Sequence, residues 1–499
     1  MLNDEEGPRL TFAVCRLPFA FSRLTSHDST HNMNKLMKRT RVVAIFDVGK
    51  TNKKLFLFDE EYKIILEESV QLEETTDEDG FICEDIFALT KWVKDSLIKL
   101  FTLKNFDIAA ISFSAYGASF VHVDNKGNPV APLYNYLKPY PEDLKQKFYN
   151  TYGGETIFSQ TTASPVLGSL NSGLQLYRLK YEQSALFGKI NCSLHLPQYL
   201  SSIITGKNYS DITSIGCHTG LWDFQKNDYH NWVRMEAVIE KLAELISSDA
   251  VVPVSIGAKN YAVGVGLHDS SAALIPYLNF QYPFILISTG TWCICLNPFN
   301  HSPLTKEELE QDCLCYMTYR GKPVKASRLF AGRDHEQQLK RIADHFNQDA
   351  THYTSMAFNP EICAGLKKKN NVANKERNTN LALKQSVFAL RDIADFSTGE
   401  EAYYQLITDL VNQQLASAQL VLEGTAVRRI FVDGGFSKND IYMNLLASVF
   451  QEMEVFAASM AQSTAMGVAI SIHHAWNKNP VPNDIIELKY YSAHAFPEL

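Results

Sequence analysis

Nowhere in its 499 residues does this chain reach the roughly 18–20 consecutive apolar residues that cross a bilayer, so nothing in it reads as a membrane span. It also lacks an excess of positive charge: Lys and Arg number 47 against 55 Asp and Glu, a net charge of −8. Nucleic acid and anionic lipid attract concentrated Lys and Arg, so neither is an expected partner. Any phosphate must be held locally, by a few aimed donors. Cysteine is scarce, nine scattered residues and an odd number, which is no disulfide framework and reads as a reduced, cytoplasmic protein. The pairs Cys293/Cys295 and Cys313/Cys315 have no His or Glu at zinc-ligand spacing beside them. The first pair lies in an alternating segment where cysteine serves as a small strand residue. A P-loop is missing too. Val48-Gly-Lys-Thr51 looks like its end, but Ala44 stands where its first glycine belongs.

What is present is ample apolar material, 45% hydrophobic against 20% charged residues, and length enough for two α/β domains. Residues 1–40 carry no domain patterning. An apolar patch at 10–20 sits between Asp4, Glu5, Glu6 and a polar stretch, unlike a secretory or transit segment. The segment reads as a disordered extension, and Met33 and Met37 lie just upstream of the first strand. The domains expected after it are 41–275 and 276–499.

The first strand is expected over 42–46, followed by Asp47-Val-Gly-Lys-Thr-Asn52 and an alternating run at 54–58. The pattern recurs: an apolar run at 284–287, then Ser288-Thr-Gly-Thr291, then 292–296. Aligning Gly49 with Gly290 sets Asp47 against Ser288, so only the first turn keeps a carboxylate. Two such hairpins half a chain apart point to a duplicated domain with one nucleotide cleft between the halves. Further strands are expected at 108–113, 120–123, 262–265 and 429–432, and helices at 86–100, 229–245, 399–422 and 441–450. Alternating strands and helices give α/β layers in both halves.

A glycine hairpin can hold phosphate. Gly49 admits close backbone approach, Thr51 and Asn52 offer side-chain donors, and Lys50, Lys53 and Lys54 supply charge. Asp47 is placed to hold hydrated magnesium, which binds through few carboxylates and substrate phosphates. Thr289, Gly290 and Thr291 form a second clamp, and Gly434 and Gly435 let a flat ligand lie against bare backbone. Phosphoryl transfer to an alcohol also needs a carboxylate to take the proton. Asp269, after the apolar run at 262–267 and opening a small-residue turn, reads equally as that base or as a helix N-cap.

The order of these segments resembles the FGGY carbohydrate kinases. The resemblance rests on Asp47-x-Gly-x-Thr51, His268-Asp269-Ser270, Ser288-Thr-Gly-Thr-Trp292 and Asp433-Gly-Gly435. Between them stand Leu196-Pro-x-Tyr-Leu200, Ile204-Thr-Gly206, Asp211-Ile-Thr-Ser214 and Gly220-Leu-Trp-Asp223, and the whole spans residues 42–472. It implies a two-domain, duplicated actin-like (ribonuclease H-like) ATPase fold with an interdomain cleft, and ATP and Mg²⁺ as cofactors. It implies that Asp47, Gly49, Thr51, Thr289, Gly290 and Thr291 handle phosphates and metal, that Gly434 and Gly435 line the adenosine pocket, and that Asp269 is the base. His268, Ser270 and the loop with Tyr116 and Gly117 would touch a small sugar. The chain departs from the family at Lys50 and Asn52 (usually Thr and Ser), at Lys54 (often Arg), at Gln462 (often Glu) and over 175–180.

The His-Asp-Ser turn and Gly-Thr-Trp clamp look most like the L-rhamnulose and L-fuculose kinases. The implied substrate is a 6-deoxy-ketohexose phosphorylated on its terminal hydroxyl, with xylulose, ribulose or a polyol as the alternative. A homodimer is a further expectation. Two readings of other classes share the fold: a non-kinase ATPase of the actin and heat-shock superfamily, and a catalytically dead sugar sensor.

Overall fold

The structure, a computed structural model, describes residues 39–373, 383, 385–460 and 462–493. The extension expected over 1–40 lies outside the described residues except for its last two, and Thr40 already opens the first strand.

The first half is built on β1 (Thr40–Val48), β2 (Lys53–Asp59) and β3 (Ile64–Val70), followed by α1 (Ile86–Thr102) and β4 (Phe106–Ala115). Much later in the chain come β5 (Val251–Ile256), β6 (Lys259–Gly264), β7 (Leu267–His268) and the short helix α2 (Asp269–Leu274). The strand order is β5-β6-β4-β1-β2-β3, with β7 also paired to β4. β1 is apolar on both faces because both are covered. Val42, Ala44, Phe46 and Val48 enter the core under α1, while Val43 and Ile45 enter a second core on the opposite face.

The second half repeats the plan with β8 (Phe284–Thr289), β9 (Cys293–Asn297), β10 (Cys313–Met317) and β11 (Pro323–Leu329). Then follow α3 (Ala331–Phe346), α4 (Gly399–Leu422), β12 (Arg429–Gly434), α5 (Asp440–Val449) and β13 (Glu454–Ser459). The chain closes with α6 (Ser463–Ser471), α7 (His473–Trp476) and β14 (Glu487–Tyr491). The order is β10-β11-β9-β8-β12-β13-β14. In both halves a hairpin strand (β1, β8) is antiparallel to its successor and parallel to the strand on its other side (β4, β12). This is the duplicated α/β architecture that the repeated hairpins imply. Among the described residues no helix is long and apolar enough to cross a membrane.

One expectation needs correction. Residues 229–245 are not one helix but a two-residue strand (Asp228–Tyr229), a short helix (Asn231–Met235), a 3-10 turn (Val238–Lys241) and a strand (Glu244–Ile246). Ala237 is left-handed, at φ 55°, which breaks the helix. The apolar spacing reflects Trp232, Val233 and Val238 turning into a shared cluster with Phe148 and Tyr177. Within the expected 276–499 half, the last helices lie against the first sheet. α6 and α7 pack on the first sheet, where Ala465, Val468, Ala469, Ile472 and Trp476 share a core with Val43, Ile45 and Phe56.

Candidate active site

The first hairpin pairs Val48 with Lys53 and closes over residues 49–52, where the Gly49 N–H donates to the Asn52 carbonyl at 3.0 Å. Asp47, at the end of β1, lies beside Ser114 on β4, and the Ser114 hydroxyl donates to its carboxylate at 2.6 Å. Burial pushes the Asp47 carboxyl up to about 6; the Ser114 hydroxyl and Lys54 oppose this, and the charge of Asp269 adds to it. β7 joins the same edge, pairing Leu267 with Ser114 and His268 with Ala115. The sheet thereby brings Asp47, Ser114 and Asp269 to one place.

In the second half the Gly290 N–H donates to the Trp292 carbonyl at 2.9 Å. Ser288 sits opposite Asp433 on β12. The Asp/Ser pair of the first half is therefore present in the second with its members exchanged between strands, and the carboxylate absent from the second turn returns next door. Reading hairpin against hairpin concealed this, because strand pairing between distant segments leaves no local pattern. Burial raises the Asp433 carboxyl against the Gly434 N–H and the Tyr277 hydroxyl, which donates at 3.1 Å.

Thr289 lines a nucleotide-sized cavity, and its hydroxyl is bonded within the fold. It donates to the Asp433 carbonyl at 2.5 Å and accepts from the Phe436 N–H at 3.0 Å, so it holds the glycine loop in place. Gly434 must be glycine: its φ is +90°, and a Cβ would stand 2.0 Å from the Thr289 carbonyl oxygen. Gly290, Thr291 and Gly435 remain exposed. Gly290 and Gly435 edge the same cavity, of about 410 Å³, which also takes in Thr289, Gly332, His335, Lys438 and Asn439, a volume in the usual range for small-ligand sites. Gly332 is there because α3 starts against the clamp, where a Cβ would lie 1.8 Å from the Gly290 carbonyl oxygen. His335 and Asn439 both bond the Tyr403 hydroxyl, at 3.1 and 2.7 Å. Sequence reasoning missed Gly332, His335, Lys438 and Asn439. Lys438 and Asn439 had a signal, since they close the run Asp433-Gly-Gly-Phe-Ser-Lys-Asn439 that follows the expected strand at 429–432, and Gly332 and His335 had none.

The lysines of the first turn differ from expectation. Lys53, 2% exposed, forms an ion pair with buried Glu84 and donates to the Lys50 carbonyl at 2.9 Å. Its charge braces the turn from beneath and does not face a phosphate. Lys50 is drawn to Glu74 at 3.1 Å, and Asn52 accepts from Gln71 at 3.0 Å. Thr51 is exposed. Lys54 reaches across to α6, donating to Gln462 at 3.2 Å. Tyr116 is likewise turned inward, its hydroxyl donating to Glu84. In that loop it is Gly117 that meets the turn carrying Asp269, since a Cβ there would be 2.5 Å from Nε2 of His268.

His268 is the N-cap residue of α2 and Asp269 is its first helical residue, so Asp269 is not the cap. The Asp269 carboxylate accepts from the Ser270 N–H at 2.6 Å, with the Ser270 hydroxyl at 3.3 Å. His268, 3% exposed, has Nε2 3.4 Å from that carboxylate. Burial lowers its pKa, and Asp269 opposes the shift. Its ring stacks on Tyr316 of β10 at 5.6 Å, an aromatic contact between the halves. Among the described residues no group of three or more His, Cys, Asp or Glu is placed to hold a metal.

Two α/β halves, each with a glycine hairpin at the end of its central strand, and a carboxylate at the start of α2 beside Asp47 define an actin-like ATPase fold equipped for phosphate chemistry. The chain belongs to the FGGY family of carbohydrate kinases: it matches the family's N-terminal domain over residues 42–272 and its C-terminal domain over 281–364 and 359–476. It is 23% identical over 184 residues to the rhamnulokinase of Halalkalibacterium halodurans, covering 36% of this chain and 39% of that protein. The rhamnulokinase of Oceanobacillus iheyensis is 22% identical over 209 residues, covering 39% and 42%. These matches thus span about two fifths of the curated relatives' length. Among solved structures, a carbohydrate kinase from Novosphingobium aromaticivorans superposes with a TM-score of 0.74 at 22% identity, covering 92% of this chain and 95% of that one. A xylulose kinase from Lactobacillus acidophilus gives 0.73 at 15% identity, covering 91% and 94%. At such identities the likeness concerns the fold.

Proposed function

We propose that this protein transfers the γ-phosphate of ATP to a hydroxyl of a small open-chain sugar in the cytoplasm. The observation that carries the reading is the position of Asp269. It is a partly exposed carboxylate at the start of a helix, next to Asp47 on the same sheet edge and, among the described residues, bonded within its own turn alone. Asp269 takes the proton from the acceptor hydroxyl as the phosphoryl group arrives. The adenosine lies in the cavity against Gly435, with His335 and Asn439 at its wall. The exposed backbone of Gly290 and Thr291 meets the phosphates from one side, and the turn at 49–52 meets them from the other. Mg²⁺ fits the donors present, since hard carboxylate oxygens suit it and it needs only one or two of them beside phosphates and water. Asp47 would hold it, and it would supply charge neutralisation on the transferred group.

For the acceptor, the rhamnulokinase relatives favour a 6-deoxy-ketohexose, L-rhamnulose or L-fuculose. The xylulose kinase neighbours keep a pentulose as the second reading. A coupled ATP-consumption assay over a panel of ketoses and polyols tests this. Sugar-dependent turnover is expected, fastest with a 6-deoxy-ketohexose, whereas ATP hydrolysis that no sugar stimulates would point to the non-kinase ATPase reading.

A further inference from the structure

The segment Asp211-Ile-Thr-Ser214 takes no part in the chemistry described above, yet it is buried against the turn that carries Asp269. Asp211 and Thr213 are both fully buried. The Asp211 carboxylate accepts from the Thr213 N–H at 2.9 Å and from the hydroxyls of Thr213 and Ser248. The Thr213 oxygen in turn accepts from the backbone N–H of His268 at 3.0 Å. We propose that Asp211 and Thr213 are positioning residues for Asp269, forming a buried relay from carboxylate to hydroxyl to the His268 amide that fixes the strand-to-helix elbow holding the base.

The direction of each bond follows from what each group can do. A carboxylate only accepts and a hydroxyl has one proton. With that proton committed to Asp211, the Thr213 lone pairs are left for an N–H, and the His268 amide is the one they meet. The other side of the elbow is fixed sterically. Gly266 has φ +89°, and a Cβ on it would lie 2.5 Å from the Pro197 carbonyl oxygen, while Gln198 donates to the Gly266 carbonyl at 2.8 Å. The backbone is thus clamped on both sides within three residues of Asp269, and the relay grips it at the residue immediately before. Reaction rates are steep in such placements: a shift of about 1 Å costs on the order of 10²-fold.

This inference rests on Asp269 being the base. Its test therefore uses one readout that needs turnover and one that does not. Thr213→Val removes the hydroxyl at nearly constant shape, and Thr213→Ser keeps it. In the full-length protein, with ATP and the best sugar of the panel, Thr213→Val is expected to lower kcat about tenfold or more, with KM for ATP near wild type and a lowered melting temperature, because the buried His268 N–H and Asp211 each lose a partner. Thr213→Ser is expected to restore kcat to within about twofold of wild type. Amide hydrogen exchange at His268 should speed up in Thr213→Val and not in Thr213→Ser. Equal kcat in Thr213→Val and wild type, or equal losses in both variants, overturns the relay. Should the wild type phosphorylate no sugar, the functional reading fails, and the exchange rates still decide the relay: unchanged exchange in Thr213→Val sinks it. If Thr213→Val does not fold, Thr213→Ala, which also lacks the hydroxyl but fills less space, takes its place. It leaves the His268 N–H without the Thr213 oxygen, so kcat should fall and His268 exchange should rise. Wild-type behaviour in both measurements overturns the proposal.

Discussion

A carboxylate that accepts a proton from an alcohol must be ionised, within reach and free of strong competing donors. Among the described residues the Asp269 carboxylate is hydrogen-bonded within its own turn alone, by the Ser270 N–H at 2.6 Å and the Ser270 hydroxyl at 3.3 Å. Asp269→Asn keeps the size and loses the basicity. It is expected to lower kcat by roughly 10² or more, with ATP affinity and melting temperature nearly unchanged, as steady-state kinetics and calorimetry would show. Asp47→Asn is expected to raise the magnesium concentration needed for half-maximal rate, with partial rescue at high magnesium. Wild-type behaviour of that variant at low magnesium would remove Asp47 from the metal. At this scale the sequence exposed which residues gather at the hairpins but not which way they face. Lys53 and Thr289 are polar residues in glycine turns, and nothing local tells that buried Glu84 claims one and the Asp433 carbonyl the other.

Among the elements, the long helices and central strands were legible because their apolar spacing is sustained. Residues 399–422 form one helix as expected, started by the Thr398 hydroxyl accepting from the Glu401 N–H. The short strand at 120–123 was legible as well, but 229–245 was not, because it borrows a helical spacing from four pieces of chain that share one core. The small hairpin of Glu74–Thr76 and Ile82–Glu84 matters more than its length suggests, since it ends in the Glu84 that braces Lys53 and Tyr116. Its loop is tied by Asp77, which accepts from the Phe81 and Asp79 N–H groups at 2.9 and 3.0 Å and from Lys138 at 2.6 Å. Burial alone would raise the Asp77 carboxyl, but Lys138 and those N–H groups outweigh it and hold it below its ordinary value. The stability this contributes is present above the unfolded carboxylate value of about 3.9 and is lost as pH falls through the lower folded value. Asp77→Asn is expected to cost about 2 kcal/mol at neutral pH, the scale of hydrogen bonds to a charged group. In urea unfolding the gap to wild type should narrow below about pH 4.

Across the whole molecule, the duplication was legible and the crossing of α6 onto the first sheet was not. α6 is apolar nearly all round, so its pattern names no partner. It lies so close to α2 that a Cβ on Gly467 would come within 1.9 Å of the Ala272 carbonyl oxygen. Gly467→Val therefore pries α6 from the helix that begins with Asp269. The expected result is about 1–3 kcal/mol of lost stability, as for other overpacked cores, together with reduced kcat. An unaltered melting temperature would show that the contact is loose.

The same crossing sets an order of events during synthesis. Val43, Ile45, Phe56 and Phe58 emerge from the ribosome long before the side chains from Ala465 to Trp476 that help to cover them. Domains usually fold as units with the N-terminal one first. Here a nascent chain stopped at residue 275 would carry a sheet with one face covered in part, by Leu267, Ala272 and Ile275 but not by α6 and α7. Only when residues 463–476 leave the exit tunnel can that face close, and closing it draws the second half against the first.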